Sequence, residues 1–279
     1  MSEDYADMPA VAAGQDAASP ILFALEDGVA HLTFNRPASL NAMDFAMGEL
    51  WRDLGEWVAS DPAVKAVLLD ATGPAFCAGG DVIAMGSAGA DGGSVAGADV
   101  TAMAGVIHAG IRAIVESDVP VVAAVQGAVA GGGLGLMLTA DWIVAADTAK
   151  FSSKYANIGL SPDLGVSTLL PAAIGQRRAL QLVLQDVTVD AATALDWGLV
   201  TEVVPRDEVA GRARAVADGW VSGAWEAYGE AKRLVRTGAH RTFGENLADE
   251  AATIGALFDT DEARARVAGF AAASRSRRS

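Results

Sequence analysis

The sequence predicts an α/β fold: a layered core of short strands alternating with helices, followed by an all-helical C-terminal region. Three observations carry this. Short apolar runs recur between segments with helical patterning, as in a layered α/β core. Two of those runs, 66–69 and 121–125, precede glycine-bearing turns, Phe76-Cys77-Ala78-Gly79-Gly80-Asp81 and Gly127-Ala128-Val129-Ala130-Gly131-Gly132-Gly133-Leu134-Gly135. After Pro205 the chain becomes rich in Ala, Glu and Arg at helical spacing.

In chain order, strands are expected at 21–25, 29–35, 65–71, 121–126, 141–146 and 202–204. Helices are expected at 44–59, 98–116, 131–139, 164–172, 175–185, 190–196, 206–236 and 242–257. The domain reading is a disordered tail over 1–19, an α/β core over 20–205 and a helical region over 206–279. The glycine-rich stretch 86–97 reads as a mobile loop, either plain disorder or a substrate lid. The end, Arg275-Ser276-Arg277-Arg278, reads as frayed and soluble. No fixed-period repeat is present.

At 279 residues and 52% hydrophobic, the chain can bury a sizeable core. The net charge of −15 opposes extended binding to nucleic acid or to an anionic membrane. An uncharged run of transmembrane length is not expected, and residues 1–19 lack a basic-then-apolar signal pattern. The single cysteine, Cys77, excludes an internal disulfide and agrees with a cytoplasmic location. Three scattered histidines, His31, His108 and His240, form no metal-ligand spacing.

The two glycine turns suggest chemistry. Free N–H groups at a helix start, unshielded by a Cβ, can grip an oxyanion, and two such turns side by side can hold one oxygen. This suits an enolate or tetrahedral anion formed from a thioester carbonyl.

Several ordered motifs extend the signal. They are Leu32-Thr33-Phe34-Asn35-Arg36-Pro37-Ala38-Ser39-Leu40-Asn41-Ala42-Met43, then the two glycine turns, then Asp141-Trp142-Ile143, Phe151, Ile158-Gly159-Leu160-Ser161-Pro162-Asp163 and Ala194-Leu195-Asp196-Trp197-Gly198-Leu199-Val200. Together, over about residues 20–270, the chain resembles the crotonase (enoyl-CoA hydratase/isomerase) superfamily. The resemblance implies a crotonase-like spiral of ββα units with a C-terminal helical region, assembled as a homotrimer or dimer of trimers. It implies an acyl-CoA substrate and no cofactor beyond the coenzyme A of that substrate.

Carried over residue by residue, the resemblance makes the N–H groups of Gly80 and Gly132 the oxyanion hole. It places coenzyme A against Arg36, Ala38, Leu40, Ala78 and Asp81; the charge balance, which demands local cations for an anionic ligand, adds Lys232 and its neighbours Arg233 and Arg236, from this or a neighbouring subunit. The alternative for that late cluster is a solvated helix face. Where the well-studied hydratases of the family carry two glutamates, this chain has Gly135 and Tyr155. Ordinary two-carboxylate hydration is therefore not expected.

Asp163 matches the acid of single-acid family members, although an aspartate in this setting is also a good helix cap. A single carboxylate suffices for a 1,3-proton shift, so the favoured reading is a Δ3,Δ2-enoyl-CoA isomerase, with enoyl-CoA hydratase as the alternative. His108 keeps a third reading open, because the family's 4-chlorobenzoyl-CoA dehalogenase type has a water-activating histidine there; a packed helix histidine is the plainer one. Serine hydrolysis lacks its Gly-x-Ser-x-Gly elbow. A non-catalytic binding member lacks a basic–aromatic stripe.

Overall fold

The computed structural model describes residues 16–81, 95–185 and 187–276. Its elements begin with β1 (Ile21–Glu26), β2 (Val29–Phe34), α1 (Phe45–Val58), β3 (Ala66–Ala71), β4 (Ala75–Cys77) and α2 (Gly97–Glu116). Next come β5 (Val121–Val125), β6 (Ala128–Ala130), α3 (Gly132–Met137), β7 (Trp142–Ala146), β8 (Lys150–Ser152), α4 (Val166–Gln185), β9 (Thr188–Asp190), α5 (Ala191–Trp197) and β10 (Glu202–Val204). The chain closes with α6 (Val209–Ser222), α7 (Trp225–Gly238), α8 (Phe243–Phe258) and α9 (Asp261–Ser276).

Six strands form one sheet in the order β1-β2-β3-β5-β7-β10, parallel from β2 onward; a second sheet runs β4-β6-β8-β9. Each of β3-β4-α2, β5-β6-α3 and β7-β8-α4 is a strand in the first sheet, a short strand in the second and a helix, so the chain is a spiral of ββα units as expected. Every residue of β5 is buried, as a central parallel strand requires. The strand expectations held for the first sheet but missed β4, β6, β8 and β9. These are three residues each, too short for a readable alternation. Consequently the glycine turns hang from the second sheet, not directly from the apolar runs.

α1 starts at Asp44, whose carboxylate accepts from the Met47 amide at 2.9 Å. It packs on α2 so closely that a Cβ on Gly55 would stand 3.0 Å from the Gly110 backbone. By length and composition α2 alone among the described helices is apolar enough to cross a membrane, which the sequence reading had not anticipated. Here it serves as a layer helix against α1.

Other expectations shift at their edges. Residues 1–15 lie outside the described residues, but 16–19, assigned to the tail, are tied to the core: the Asn35 amide donates to the carbonyls of Ala17 and Ser19, both at 3.0 Å. Most of the 86–97 loop also lies outside them, while Gly97 opens α2. The pair of helices expected at 164–185 is α4, interrupted by Gly175 at φ 77°. The helix expected over 206–236 breaks at Gly223 into α6 and α7. Arg275 belongs to α9, not to a frayed end.

Candidate active site

The two glycine turns meet. A Cβ on Gly79, which has φ 96°, would stand 3.0 Å from both the Gly132 nitrogen and the Ala130 carbonyl, so glycine is needed for the turns to touch. Gly80 follows in an isolated bridge to Met43, in which Met43 N–H donates to Gly79 O at 2.7 Å and Asp81 N–H to Met43 O at 2.9 Å. Gly132 is the first residue of α3. Neither the Gly80 nor the Gly132 N–H has a protein acceptor among the described residues. A Cβ on Gly80 would meet nothing within 4 Å. The arrangement offers two neighbouring donors with an open approach on one side.

Beside Gly80 lies a cavity of about 400 Å³, lined by Met43, Phe45, Asp81, Val100, Met103 and their neighbours. Its wall is mostly apolar.

Asp163 and Tyr155 stand beside Gly132. The half-buried Asp163 carboxylate accepts a short hydrogen bond from the Tyr155 phenol. The phenol oxygen lies 3.4 Å from where a Cβ on Gly132 would be. Burial first, and the Asp163 charge second, push the Tyr155 pKa well above its ordinary value, so the phenol stays a donor. The capping reading of Asp163 is corrected: α4 begins three residues later, at Val166, and the carboxylate faces Tyr155 instead.

Sequence reasoning missed Leu164, which packs the Asp163 segment against α3. It adopts φ 47°, a left-handed conformation that costs a non-glycine residue about 1–2 kcal/mol. Its carbonyl oxygen would lie only 1.8 Å from a Cβ on Gly135, and its side chain 2.5 Å from a Cβ on Gly132. Its N–H donates to His108 Nε2 at 3.1 Å. His108 thus accepts a backbone hydrogen bond through Nε2, the plainer of its two readings.

The expected coenzyme A residues divide. Arg36, Ala38, Leu40, Ala78 and Asp81 gather where two loops pair: Ala78 N–H donates to Leu40 O at 3.0 Å, and Arg36 bridges Asp81 at 3.0 Å and Asp44 at 2.9 Å. Asn41, also missed, holds this loop from beneath. It is fully buried at φ 56°, and its amide donates to the carbonyls of Thr72 and Ala75 at 2.9 Å each. The hint was available, since asparagine tolerates the left-handed region better than most residues.

Lys232 is elsewhere and is corrected. Its ammonium is buried and donates to the carbonyls of Val119 at 2.6 Å and Ile114 at 2.8 Å, with Asp141 at 3.3 Å. Burial pulls its pKa down, against the pull of Asp141. Arg236 also pairs with Asp141, and Arg233 with Glu230 and Asp249. Lys232 and Arg236 clamp α7 to the core and Arg233 ties it to α8; a phosphate would have to break these contacts. The Cys77 thiol is pushed up to about 12 by burial, which leaves it protonated and non-nucleophilic near neutral pH. Among the described residues, no three His, Cys, Asp or Glu side chains gather as a metal site.

Comparison with known proteins identifies the family. The family model described as enoyl-CoA hydratase/isomerase matches residues 24–275. A Mycobacterium bovis protein described as a probable enoyl-CoA hydratase is 32% identical over 253 residues, covering 90% of this chain and 94% of its own. The 1,2-epoxyphenylacetyl-CoA isomerase of Escherichia coli is 32% identical over 205 residues, 71% of this chain and 74% of its own. A solved Mycobacterium abscessus structure described as an enoyl-CoA hydratase/isomerase superposes with TM-score 0.84 at 35% identity, covering 90% of this chain and 96% of the other. The chain belongs to the enoyl-CoA hydratase/isomerase family, the crotonase superfamily.

Proposed function

We propose that this family member isomerises the double bond of an enoyl-CoA, with Asp163 as the single acid and base. The observation that carries this reading is the fit of Leu164 against Gly135. By resemblance, position 135 is where hydratases hold one of two glutamates; here the Leu164 carbonyl lies 1.8 Å from any Cβ at that position. A carboxylate there would displace the turn that carries Asp163. The second hydratase glutamate is replaced by Tyr155, a donor rather than a base.

In the proposed reaction the thioester oxygen of a 3-enoyl-CoA accepts from the N–H groups of Gly80 and Gly132. Asp163 removes a proton from C2, and the C2 electron pair delocalises through the C3–C4 double bond and the thioester as a dienolate. The protonated Asp163 then returns the proton at C4, leaving a 2-enoyl-CoA. Atoms balance without water or redox change, and the only coenzyme required is that of the substrate. The paired loops around Leu40 and Ala78 suit the coenzyme A moiety, which leaves the acyl group to run from the Gly80 and Gly132 donors towards Asp163.

We further propose, from the family resemblance, a homotrimer or dimer of trimers. Phe243, Ile254 and Phe258 on α8 and Phe270 on α9 are all more than half exposed in the single chain, which supports burial by neighbouring subunits.

Hydration is the second reading, favoured by the name of the Mycobacterium bovis relative. A panel of 2-enoyl-, 3-enoyl- and aryl-CoA thioesters followed by mass spectrometry and chromatography decides between them. Isomerisation moves the double bond at constant mass. A gain of one water from the 2-enoyl ester, without isomerisation of the 3-enoyl ester, overturns the proposal.

A further inference from the structure

We infer that His108 is a positioning residue: through Nε2 it holds the Leu164 N–H and thereby sets Asp163 against the oxyanion helix. The inference rests on the proposed role of Asp163 and adds a residue on another element to it.

Leu164 follows Asp163 directly. Its left-handed backbone, φ 47°, is followed by Gly165 at φ 80°, so the turn persists only where its surroundings hold it. Three contacts do so. The side chain packs at Gly132, the carbonyl packs at Gly135, and the N–H is held by His108 from α2. The first two push the turn against α3. The hydrogen bond fixes the orientation of the peptide that joins Asp163 to Leu164.

α2 is placed for this. Ile111, one helical turn after His108, lies 3.7 Å from where a Cβ on Gly165 would be, so positions 108 and 111 border the same turn. Leu164 itself is buried, so its N–H has little access to water if the imidazole is removed. Asp163, half-buried, is then left with Tyr155 as its restraint from one side.

An acceptor role and a chemical role for His108 make different predictions. Glutamine places an amide oxygen near the position of Nε2 and accepts the N–H, but it cannot transfer a proton near neutral pH. His108→Leu removes the acceptor and excludes water. His108→Asn is polar but too short, reaching the Nδ1 position. The test measures kcat and KM for the 3-enoyl-CoA, together with hydrogen exchange of peptides spanning 159–166, in the full-length wild type and these three variants. Melting by circular dichroism monitors folding.

Expected results are a fall of about tenfold in kcat for His108→Leu and His108→Asn with KM within about twofold, and recovery to within about threefold of wild type in His108→Gln. Exchange over 159–166 should quicken in the Leu and Asn variants and stay near wild type in the Gln variant. If His108→Leu does not fold, the Asn and Gln variants carry the comparison.

The proposal is overturned if kcat and exchange are unchanged on loss of the acceptor. It is equally overturned if His108→Gln is as impaired as His108→Asn, which would make the imidazole a chemical participant. If the wild type isomerises nothing yet exchange follows this pattern, the positioning stands and the isomerase reading falls. Isomerase activity with indifferent exchange and kcat across the variants gives the reverse.

Discussion

The two glycine turns look alike in sequence and differ in what their glycines do. At Gly80 an added Cβ meets open space, whereas at Gly132, Gly133 and Gly135 it would meet Leu164 Cδ1 at 2.5 Å, the Cys77 carbonyl at 2.3 Å and the Leu164 carbonyl at 1.8 Å. In the first turn Gly79 packs against the second turn, and Gly80 is open to approach from outside. The second is glycine-rich because the acid-bearing turn and the first glycine turn press against it. One sequence signal therefore has two physical causes, and in the second the missing side chains let the Asp163 segment come close.

The sharpest way to break this comparison is paired alanine substitution. Gly135→Ala should cost more than about 3 kcal/mol or abolish folding, because the clash is with backbone that cannot rotate aside. Gly80→Ala should cost less than about 1 kcal/mol, since its Cβ meets nothing and its backbone lies outside the left-handed region. Urea denaturation of both variants measures the contrast; similar midpoints would mean that the second turn is not the packed one.

The next largest effect is expected at the acid that the packed turn serves. Asp163→Asn retains the shape and the oxygen that accepts from Tyr155 but removes the base, so kcat should fall at least about 100-fold with little change in melting temperature. Steady-state kinetics at saturating 3-enoyl-CoA checks this. Full activity would remove Asp163 from the chemistry.

The smallest effect concerns Tyr155, which touches both Asp163 and the Gly132 side of the hole. Tyr155→Phe should lower kcat about tenfold through loss of alignment. Its raised pKa has a further consequence. The folded value lies above the unfolded one, so the stabilisation is fully present below about pH 10 and is lost only as the pH rises towards the folded value. The chain has three tyrosines, and absorbance titration of the folded protein around pH 10 should therefore be unchanged by Tyr155→Phe. A loss of a third of the amplitude would mean that the phenol ionises normally.

The first sheet was legible in the sequence because its buried parallel strands are continuous apolar runs, as at Val121–Val125. The second sheet was not, because three-residue strands leave no period to read. Among site residues, Gly80, Gly132, Asp163 and Tyr155 could be named from ordered motifs, and the chain brings them together. Lys232 could not be judged that way: a lysine on an amphipathic helix reads as solvated, and only packing shows its ammonium bonded to the carbonyls of Ile114 and Val119.

By itself the sequence determined the family pattern, the order of the units, the identities Gly135 and Tyr155 where the resemblance expects glutamates, and the presence of one candidate acid. Those are matters of residue identity along a line. Only the tertiary structure decided that Gly135 makes room for the Leu164 carbonyl, that Asp163 faces Tyr155 instead of capping α4, and that His108 reaches 56 positions along the chain to hold the Leu164 amide. The physical reason is that steric exclusion and hydrogen bonding act through distance in space. A missing Cβ and a left-handed backbone acquire their meaning from the segment packed against them.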